Sequence, residues 1–213
     1  MLGRSPVTVD LSILIPSLPE RLHLLEGMLT SLEQQARRCG HVQQVELLVL
    51  TDNRCRSIGE KRNALLDVAQ GRFVAFVDDD DRVAADYVDR LCQAIGTHPD
   101  ADCVVFDVAV SAPNGGKLAR YGVEYEIGED AFYYYRKPNH LMCYARRIAL
   151  RHRYRDTSWG EDTDWSIRAA RDVVRQVRIP AVLYEYRLRP HPPYRDRARP
   201  PIDGSLDPPP ARI

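Results

Sequence analysis

Four consecutive aspartates occupy residues 78–81, directly after the apolar run at residues 73–77. Two unit charges about 4 Å apart repel by about 4 kcal/mol at an effective dielectric constant near 20, so the run needs compensating positive charge. Carboxylate oxygens are ligands that Mg²⁺ and Mn²⁺ prefer, and the run therefore predicts a divalent cation at the end of a buried strand. The alternative is a solvated acidic turn, which the preceding apolar run disfavours.

A basic pair, Lys61 and Arg62, lies in the first turn of a predicted helix that follows Ser57. The positive end of the helix dipole disfavours cations at this position. The pair is either solvated, with Glu60 offsetting its charge, or it faces a phosphate group beside the aspartates. In the second case, basic side chains and a bound cation would hold a diphosphate between them.

A third charged cluster, Glu161, Asp162 and Asp164, begins another predicted helix. Ser158 and Glu161 have the spacing of a capping box, and Asp164 and Arg168 have the spacing of an ion pair on one helix face. Neither of these patterns gives Asp162 a structural role. A helix N-terminus favours the ionised form of a carboxylate, so Asp162 is a candidate general base.

The spacing of apolar residues predicts alternating strands and helices in the first 100 residues. Buried strands are predicted at residues 11–15, 45–50 and 73–77. Capping boxes of the form S-x-x-E at Ser17 and Ser57 open the first two helices, and a third helix is predicted from Arg82 onward. This alternation predicts an α/β fold with a Rossmann-like, mostly parallel sheet and helices on both faces.

The carboxyl ends of the predicted strands carry the residues that could do chemistry. Pro16, Asp52 and the aspartate run each follow closely on a predicted strand. Ligands of parallel sheets bind at the carboxyl ends of the strands. We therefore expect these groups to meet at one edge of the sheet.

The pattern changes beyond residue 102, where shorter strands are predicted. Two of them, at residues 103–110 and 118–126, flank the Pro-Asn-Gly-Gly segment at 113–116, which is typical of a hairpin turn. We therefore predict a small, mixed and partly antiparallel region after the parallel half.

Composition and charge narrow the classes of function. Lysine plus arginine and aspartate plus glutamate each number 30, so bulk charge gives no reason to expect a nucleic-acid or membrane-surface partner. The five cysteines are widely spaced and lack zinc-site spacing, which favours reduced thiols. The N-terminus lacks a signal-peptide pattern, and no apolar run approaches the roughly 20 residues that span a bilayer. We expect a cytoplasmic protein without a membrane segment.

Together these motifs resemble the family 2 glycosyltransferases of the GT-A fold. The segments that carry the resemblance are, in order, Pro16-Ser17, the Asp52 region, residues 59–63, residues 76–81 and residues 160–162. They cover most of residues 10–187. Residues 58–63, the aspartate run and residues 138–142 more closely resemble small family members of phages and large viruses.

The resemblance implies a nucleotide-sugar site. The residues implied to bind the nucleotide-sugar are Pro16, Ser17, Leu18, Glu20, Arg21, Asp52, Lys61, Arg62, Asn63, Asp78 and Asp79. Asp52 is implied to contact the base, and the 61–63 segment to lie beside the diphosphate. Asp80 matches the ligand of Mn²⁺ or Mg²⁺, and Asp162 matches the catalytic base. Asp79 stands where the family motif usually has a small residue, which leaves the register of the metal ligand open by one position.

The resemblance also implies the organisation of the chain. One GT-A domain is expected over residues 1–188, with about 1–100 as the nucleotide-sugar-binding half and 101–188 as the acceptor-side half. Residues 189–213 hold eight of the fifteen prolines and are expected to form an extended arm or tail.

The implied reaction moves a sugar, expected to come from UDP-glucose or a similar donor, to an acceptor hydroxyl with inversion. One base, Asp162, suffices for an inverting transfer. The virus-like resemblance and the arginines near the C-terminus favour a hydroxymethylated base in phage-type DNA as the acceptor. A glycan, a protein or a small molecule is the alternative acceptor.

Other classes of protein stay open on the residues alone. A metal-dependent nucleotidyltransferase would have a glycine-rich loop after its first strand, where this chain has Pro16-Ser17-Leu18-Pro19. A phosphohydrolase would distribute its metal ligands over several strands. A non-catalytic nucleotide-binding module is a further alternative. His140 and His191 are either structural or in contact with ligand.

Overall fold

The structure, a computed structural model, describes residues 8–111 and 115–187, which form one ten-stranded sheet and five α-helices. The strands are β1 (Leu11–Ser17), β2 (Val45–Thr51), β3 (Phe73–Phe76), β4 (Arg82–Val83), β5 (Cys103–Ser111), β6 (Lys117–Tyr121), β7 (Gly128–Glu129), β8 (Tyr133–Arg136), β9 (Cys143–Ala145) and β10 (Gln176–Arg187). The helices are α1 (Leu22–Arg38), α2 (Ile58–Val68), α3 (Tyr87–Thr97), α4 (Arg146–Ala149) and α5 (Glu161–Ala170). The predicted arm and His191 lie outside the described residues.

Strand β1 lies at the centre of the parallel part of the sheet. It pairs in parallel with β2 on one side and with β3 on the other. All seven of its residues are buried, which is typical of a parallel strand that is covered on both faces. The carboxyl ends of β1, β2 and β3 therefore meet at one edge, and the predicted α/β fold with a largely parallel central sheet is confirmed.

The second half of the chain forms the mixed region that the sequence predicts. Strand β9 runs antiparallel between β3 and β5, and β5 also pairs antiparallel with β6 and parallel with β10. Val110 lies opposite Lys117 in the β5–β6 pair, so the predicted hairpin forms. Residues 112–114 of its turn lie outside the described residues.

Three predictions about individual elements are wrong, one on burial and two on boundaries. Strand β2 is an edge strand with half-buried or exposed side chains, because it pairs only with β1 among the described strands. Helix α3 begins at Tyr87 rather than Arg82, because Arg82 and Val83 pair with β10 as strand β4. Strand β6 ends at Tyr121 rather than at residue 126.

One of the three predicted capping boxes forms. The hydroxyl of Ser57 accepts the Glu60 N–H at 3.1 Å, while the Glu60 carboxylate accepts the Ser57 N–H at 3.2 Å. The box predicted at Ser17 is absent: the segment Pro19–Arg21 forms a 3₁₀ turn without a side-chain cap. Ser17 is the last residue of β1, and its hydroxyl donates to Asp79, in the segment that follows β3, at 2.6 Å.

The predicted capping residue Ser158 does not cap α5, because the N-cap residue of that helix is Gly160. The Ser158 hydroxyl accepts the backbone N–H of Ile58 at 3.2 Å and so ties the loop before α5 to the start of α2. Gly160 takes the N-cap position of α5 with φ of 71°, a left-handed conformation that favours glycine. The predicted pair on the helix face does form, since Arg168 donates to Asp164 at 2.6 Å.

The helices pack in two pairs, α1 against α3 and α2 against α5. In the first pair, Leu32, Leu91 and Ile95 are fully buried, as their helical spacing predicts. The second pair brings α5, which carries Asp162, next to α2, which carries Lys61 and Arg62. Within the two described ranges, the helices are too short or too polar for any of them to cross a membrane.

The cysteines are free thiols in environments of two kinds. Cys103 and Cys143 are buried on the paired strands β5 and β9, and burial raises the pKa of both thiols. Burial also raises the pKa of Cys92 to about 12 and the pKa of Cys39 above its usual range. Cys55 is exposed, in the loop between β2 and α2.

Gly59 lets the first turn of α2 approach the segment before α5 closely. Its N–H donates to the carbonyl oxygen of Thr157 at 3.1 Å, and a Cβ atom here would overlap with the carbonyl oxygen of Arg155. Gly59→Ala should therefore lower the free energy of unfolding by about 1–3 kcal/mol, the usual cost of overpacking, measured by chemical denaturation.

Gly96→Ala is the matched control for this substitution. Gly96 is also helical, in α3, but no atom lies within 4 Å of a Cβ built there. Alanine is favoured over glycine in a helix by about 1 kcal/mol, so this variant should be as stable as the wild type or more so. Equal stability of both variants would contradict the close approach at Gly59.

Candidate active site

The aspartate run leaves the end of β3, and two of its members share one arginine. The carboxylate of Asp79 is buried, accepts the Ser17 hydroxyl at 2.6 Å and accepts Arg21 Nη1 at 3.0 Å. The same Arg21 nitrogen lies 3.1 Å from Asp80 Oδ2. Arg21 thus provides part of the positive charge that the run requires, from the 3₁₀ turn that follows β1.

Asp81 lies on the other side of the run and is held by β10. Its carboxylate accepts the Tyr184 hydroxyl at 2.8 Å and the Arg187 backbone N–H at 2.9 Å. Burial and the neighbouring charge of Asp78 raise the pKa of Asp81 to about 8. The raised pKa favours the neutral form of this carboxyl, which reduces the repulsion that the sequence predicts.

Asp78 is connected to helix α5 through Arg62. The buried guanidinium of Arg62 donates to Glu161 Oε1 at 2.7 Å and lies 3.5 Å from Asp78 Oδ1. It also lies over the rings of Phe76 and Tyr154, at 5.7 and 5.6 Å from their centroids. Arg62 therefore links the end of β3 to the first turn of α5.

Lys61 is buried as well, so the alternative that the basic pair is solvated is wrong. Its ammonium group donates to the Ser17 carbonyl oxygen at 2.8 Å and lies 2.5 Å from Asp52 Oδ1. Lys61 therefore links the carboxyl end of β1 to Asp52, which follows the carboxyl end of β2. Both cations have carboxylate partners inside the protein, and their predicted contact with a diphosphate stays a prediction.

Asp52 organises the loop between β2 and α2. Besides Lys61, it accepts the backbone N–H groups of Arg54 and Arg56, each at 3.1 Å. Burial raises its pKa, but the hydrogen bonds from Lys61 and Cys55 outweigh burial and lower the pKa of Asp52 below its usual range. The carboxylate is therefore ionised at neutral pH, and its predicted contact with a nucleotide base is untested.

Asn63 joins α2 to the segment before α5. Its side-chain amide donates to the Tyr154 carbonyl oxygen and accepts the Tyr154 N–H, both at 2.9 Å. This reciprocal pair gives Asn63 a positioning role, and its predicted place beside a diphosphate stays a prediction. Pro16 is buried at the end of β1, Leu18 is half-buried beyond it, and Glu20 is exposed and ion-paired with Arg54.

Asp162 lies in the first turn of α5 and lines a cavity together with Asp78 and Arg62. Its Oδ1 accepts the Thr163 N–H at 2.8 Å, and its side chain is 29% exposed. The cavity thus brings together the end of β3 and the start of α5. The sequence predicts a cation beside a diphosphate at the first and a general base at the second.

The cavity also contains residues that the sequence analysis missed. Tyr121, Asn139 and Tyr186 line it, in addition to His140. Asn139 and His140 precede β9, within the segment noted for its family resemblance. Tyr121 lies in the middle of a strand predicted to continue to residue 126, and no local pattern distinguishes it.

The donor set at the end of β3 suits a hard cation in its chemistry. The side chains of Asp78 and Asp80 are 23% and 18% exposed, whereas that of Asp79 is 1% exposed. Across residues 8–111 and 115–187, however, no three histidine, cysteine, aspartate or glutamate side chains are grouped to hold a metal ion. A divalent ion at Asp80 would therefore need ligands from water or substrate.

Comparison with solved structures identifies the fold. The chain is similar to TarS residues 1–349 of S. aureus, with a TM-score of 0.58 and 16% identity over 84% of this chain and 60% of that one. The same protein in complex with UDP-GlcNAc gives a TM-score of 0.59 and 14% identity over 86% of this chain and 60% of that one. The chain therefore spans less than two thirds of the length of these structures.

Comparison by sequence gives the family. A search of curated protein sequences found no match. Residues 32–157, more than half of the chain, match the family described as Glycosyl transferase family 2. The matched stretch includes Lys61, Arg62 and the aspartate run, and Asp162 follows shortly after its end. The chain belongs to glycosyl transferase family 2.

Proposed function

We propose that this protein transfers a sugar from a nucleotide-sugar to an acceptor hydroxyl with inversion of the anomeric centre. The observation that supports this best is the cavity that has Asp78, which follows β3, and Asp162, from α5, in its wall. An inverting transfer needs stabilisation of a leaving diphosphate on one side of the sugar and a single base on the other. The family membership agrees with this proposal.

Asp162 is the proposed base, which accepts the proton of the acceptor hydroxyl as that hydroxyl attacks. The Thr163 N–H holds one of its oxygens at 2.8 Å and so restricts the orientation of the carboxylate. The guanidinium of Arg62 lies 3.5 Å from Asp78 and so adds a fixed positive charge near the proposed leaving group. Because a base suffices for inversion, no covalent sugar intermediate is needed.

The nucleotide is proposed to lie at the carboxyl edge of β1 and β2, against Pro16, Leu18 and Asp52. This assigns residues 1–100 to donor binding and residues 101–188 to the acceptor side. Mn²⁺ or Mg²⁺ held by Asp80 would supply Lewis-acid stabilisation of charge on the departing diphosphate. The exposure of Asp80, compared with the enclosed Asp79, supports Asp80 as the ligand.

Donor turnover tests this proposal. We expect the protein with Mn²⁺ to release UDP from UDP-glucose or from UDP-GlcNAc, the donor present in the TarS complex. Asp80→Asn should lower turnover about 10-fold or more and raise the Mn²⁺ concentration needed for half-maximal rate. Asp86→Asn, at an exposed aspartate paired with Arg90, is the matched control.

The products separate this activity from its rivals. Release of nucleoside monophosphate and sugar phosphate from the donor would favour the phosphohydrolase alternative, whereas release of pyrophosphate from UTP and a sugar phosphate would favour the nucleotidyltransferase. Turnover that is unchanged by EDTA would overturn the role given to the metal. Binding of UDP without any turnover would favour a non-catalytic module.

The proposed acceptor is a hydroxymethylated base in phage-type DNA, and one surface feature supports it. Lys117 Nζ and Arg136 Cζ lie 4.8 and 5.4 Å from the centroid of the Tyr134 ring. Arg136 pairs with Tyr121 across β6 and β8, so Tyr134 and Tyr121, a cavity residue, share one face of the sheet. An aromatic ring between two cations suits a base and its phosphates.

Acceptor assays decide between DNA and the other acceptors. Mass spectrometry of hydroxymethylated oligonucleotides should show an added hexose, and acceptor binding should weaken steeply with salt. Failure to modify DNA with any donor, together with modification of a glycan, protein or small molecule, would replace this acceptor. The resemblance to phage and viral members would then give no indication of the acceptor.

A further inference from the structure

His140 is a buried histidine between the two carboxylates of the cavity. Its Nε2 lies 3.7 Å from Asp78 Oδ2, and its Nδ1 lies 3.8 Å from Asp162 Oδ2. Neither ring nitrogen has a hydrogen-bond partner within the part of the chain that the structure describes. A buried polar group left unpaired costs about 1–3 kcal/mol, so this placement requires a reason.

The surroundings hold the imidazole ring in this place. The Phe76 N–H donates to the His140 carbonyl oxygen at 3.3 Å, which ties the backbone to the end of β3. The Phe76 ring packs against the imidazole edge to face, with centroids 6.4 Å apart. Asn139 Oδ1 accepts the Leu141 N–H at 3.1 Å and fixes the turn around the histidine. The ring therefore stays between Asp78 and Asp162.

The chemistry of imidazole allows one of the two contacts at a time in its neutral form. Neutral imidazole has one N–H donor and one acceptor nitrogen, whereas both neighbouring carboxylates are acceptors. Asp78 already faces the guanidinium of Arg62 at 3.5 Å. A proton on Nδ1 would be directed toward Asp162.

We propose, on the basis of the function proposed above, that His140 is a positioning residue that orients Asp162 through its Nδ1–H. The Thr163 N–H already holds Asp162 Oδ1 at 2.8 Å, and His140 would hold Oδ2. A carboxylate that is held at both oxygens keeps a fixed orientation toward the acceptor hydroxyl. The separation must shorten by about 1 Å, a tightening that catalytic hydrogen bonds commonly show on substrate binding.

Two amide substitutions test which nitrogen matters. The side-chain NH₂ of asparagine can replace the Nδ1 donor, and that of glutamine can replace the Nε2 donor. We expect His140→Asn to keep kcat within about threefold and His140→Gln to lower kcat about 100-fold, because a 1 Å misplacement of a catalytic group can cost that much. The donor KM should be unchanged in both variants.

Matched controls use a histidine outside the cavity. His152 is ion-paired with Asp172 at 3.1 Å, and His152→Asn and His152→Gln should leave kcat unchanged. Equal kcat values in His140→Asn and His140→Gln, or a loss confined to thermal stability or to KM, would overturn the proposal. Absence of turnover in the wild type would instead count against the proposed function.

A measurement without turnover keeps the proposal testable if the variants do not fold. The imidazole ¹⁵N resonances of His140 can be followed by NMR in the full-length chain with UDP and Mg²⁺, which is diamagnetic. The Nδ1 resonance should shift in Asp162→Asn, whereas the His152 resonances should not. An unchanged His140 Nδ1 resonance in Asp162→Asn would overturn the contact whatever reaction the protein performs.

Discussion

Asp162→Asn should lower sugar transfer by a factor of about 10² to 10⁴, the usual contribution of a general base. Asparagine keeps the shape of the side chain and the contact with the Thr163 N–H, but it cannot accept the acceptor proton. Binding of UDP, measured by thermal shift, should be unchanged. The rate comparison uses initial rates of transfer at saturating donor.

Asp164→Asn is the matched control in the same helix turn. Asp164 pairs with Arg155 and Arg168 on the outer side of α5 and does not line the cavity. Its substitution should leave transfer within about twofold, because partly exposed ion pairs contribute little. Transfer by Asp162→Asn at the wild-type rate would exclude Asp162 as the base.

Arg62→Met should lower the free energy of unfolding by about 3–5 kcal/mol, measured by urea denaturation without nucleotide. The substitution leaves the buried Glu161 carboxylate without the guanidinium that lies 2.7 Å from it. It also removes the cation next to Asp78. A buried charge without a partner is the source of this cost, since methionine fills a similar volume.

A double variant separates the charge from the packing. In Arg62→Met combined with Glu161→Gln, the buried carboxylate is also removed, so a substantial part of the lost stability should return. Arg153→Met is the matched control, because its pair with Asp67 is about half exposed and should be worth at most about 1 kcal/mol. A loss below 1 kcal/mol in Arg62→Met would contradict the buried pair.

Short-range patterns in the sequence predict the edge of the sheet at which the carboxyl ends of β1, β2 and β3 meet. Three apolar runs that alternate with helical patterns require parallel strands, and parallel strands place their carboxyl ends together. Pro16, Asp52 and the aspartate run therefore come to one edge as predicted. The mixed region could be predicted because its Asn-Gly turn has a specific backbone requirement.

The side-chain partners within that edge could not be predicted, because they depend on contacts between distant residues. Ser17 has the same S-x-x-E pattern as Ser57, yet its hydroxyl meets Asp79, which lies 62 residues away. The unfavourable position of Arg62 in its helix correctly marked a special residue. Its partner, Glu161, lies 99 residues further along the chain and has no local signal.

The groups that compensate the negative charge of the aspartate run could not be predicted from the sequence either. Repulsion among four carboxylates is evident from the sequence, but the cation that relieves it is not. The structure divides the task between Arg21, Arg62 and a raised pKa of Asp81, which favours the neutral form of that carboxyl. A metal ion at this position is therefore an addition to charges that the chain already balances in part.

The single exposed cysteine, Cys55, is a natural labelling site near the carboxyl end of β2. Cys55 Sγ lies 3.4 Å from Asp52 Oδ2, in the loop proposed to hold the nucleotide base. The other four thiols are buried or half-buried and have a raised pKa, which makes them poor nucleophiles at neutral pH. A maleimide fluorophore would consequently attach beside the proposed base site of the unaltered chain, where its emission would report binding of nucleotide without any engineered mutation.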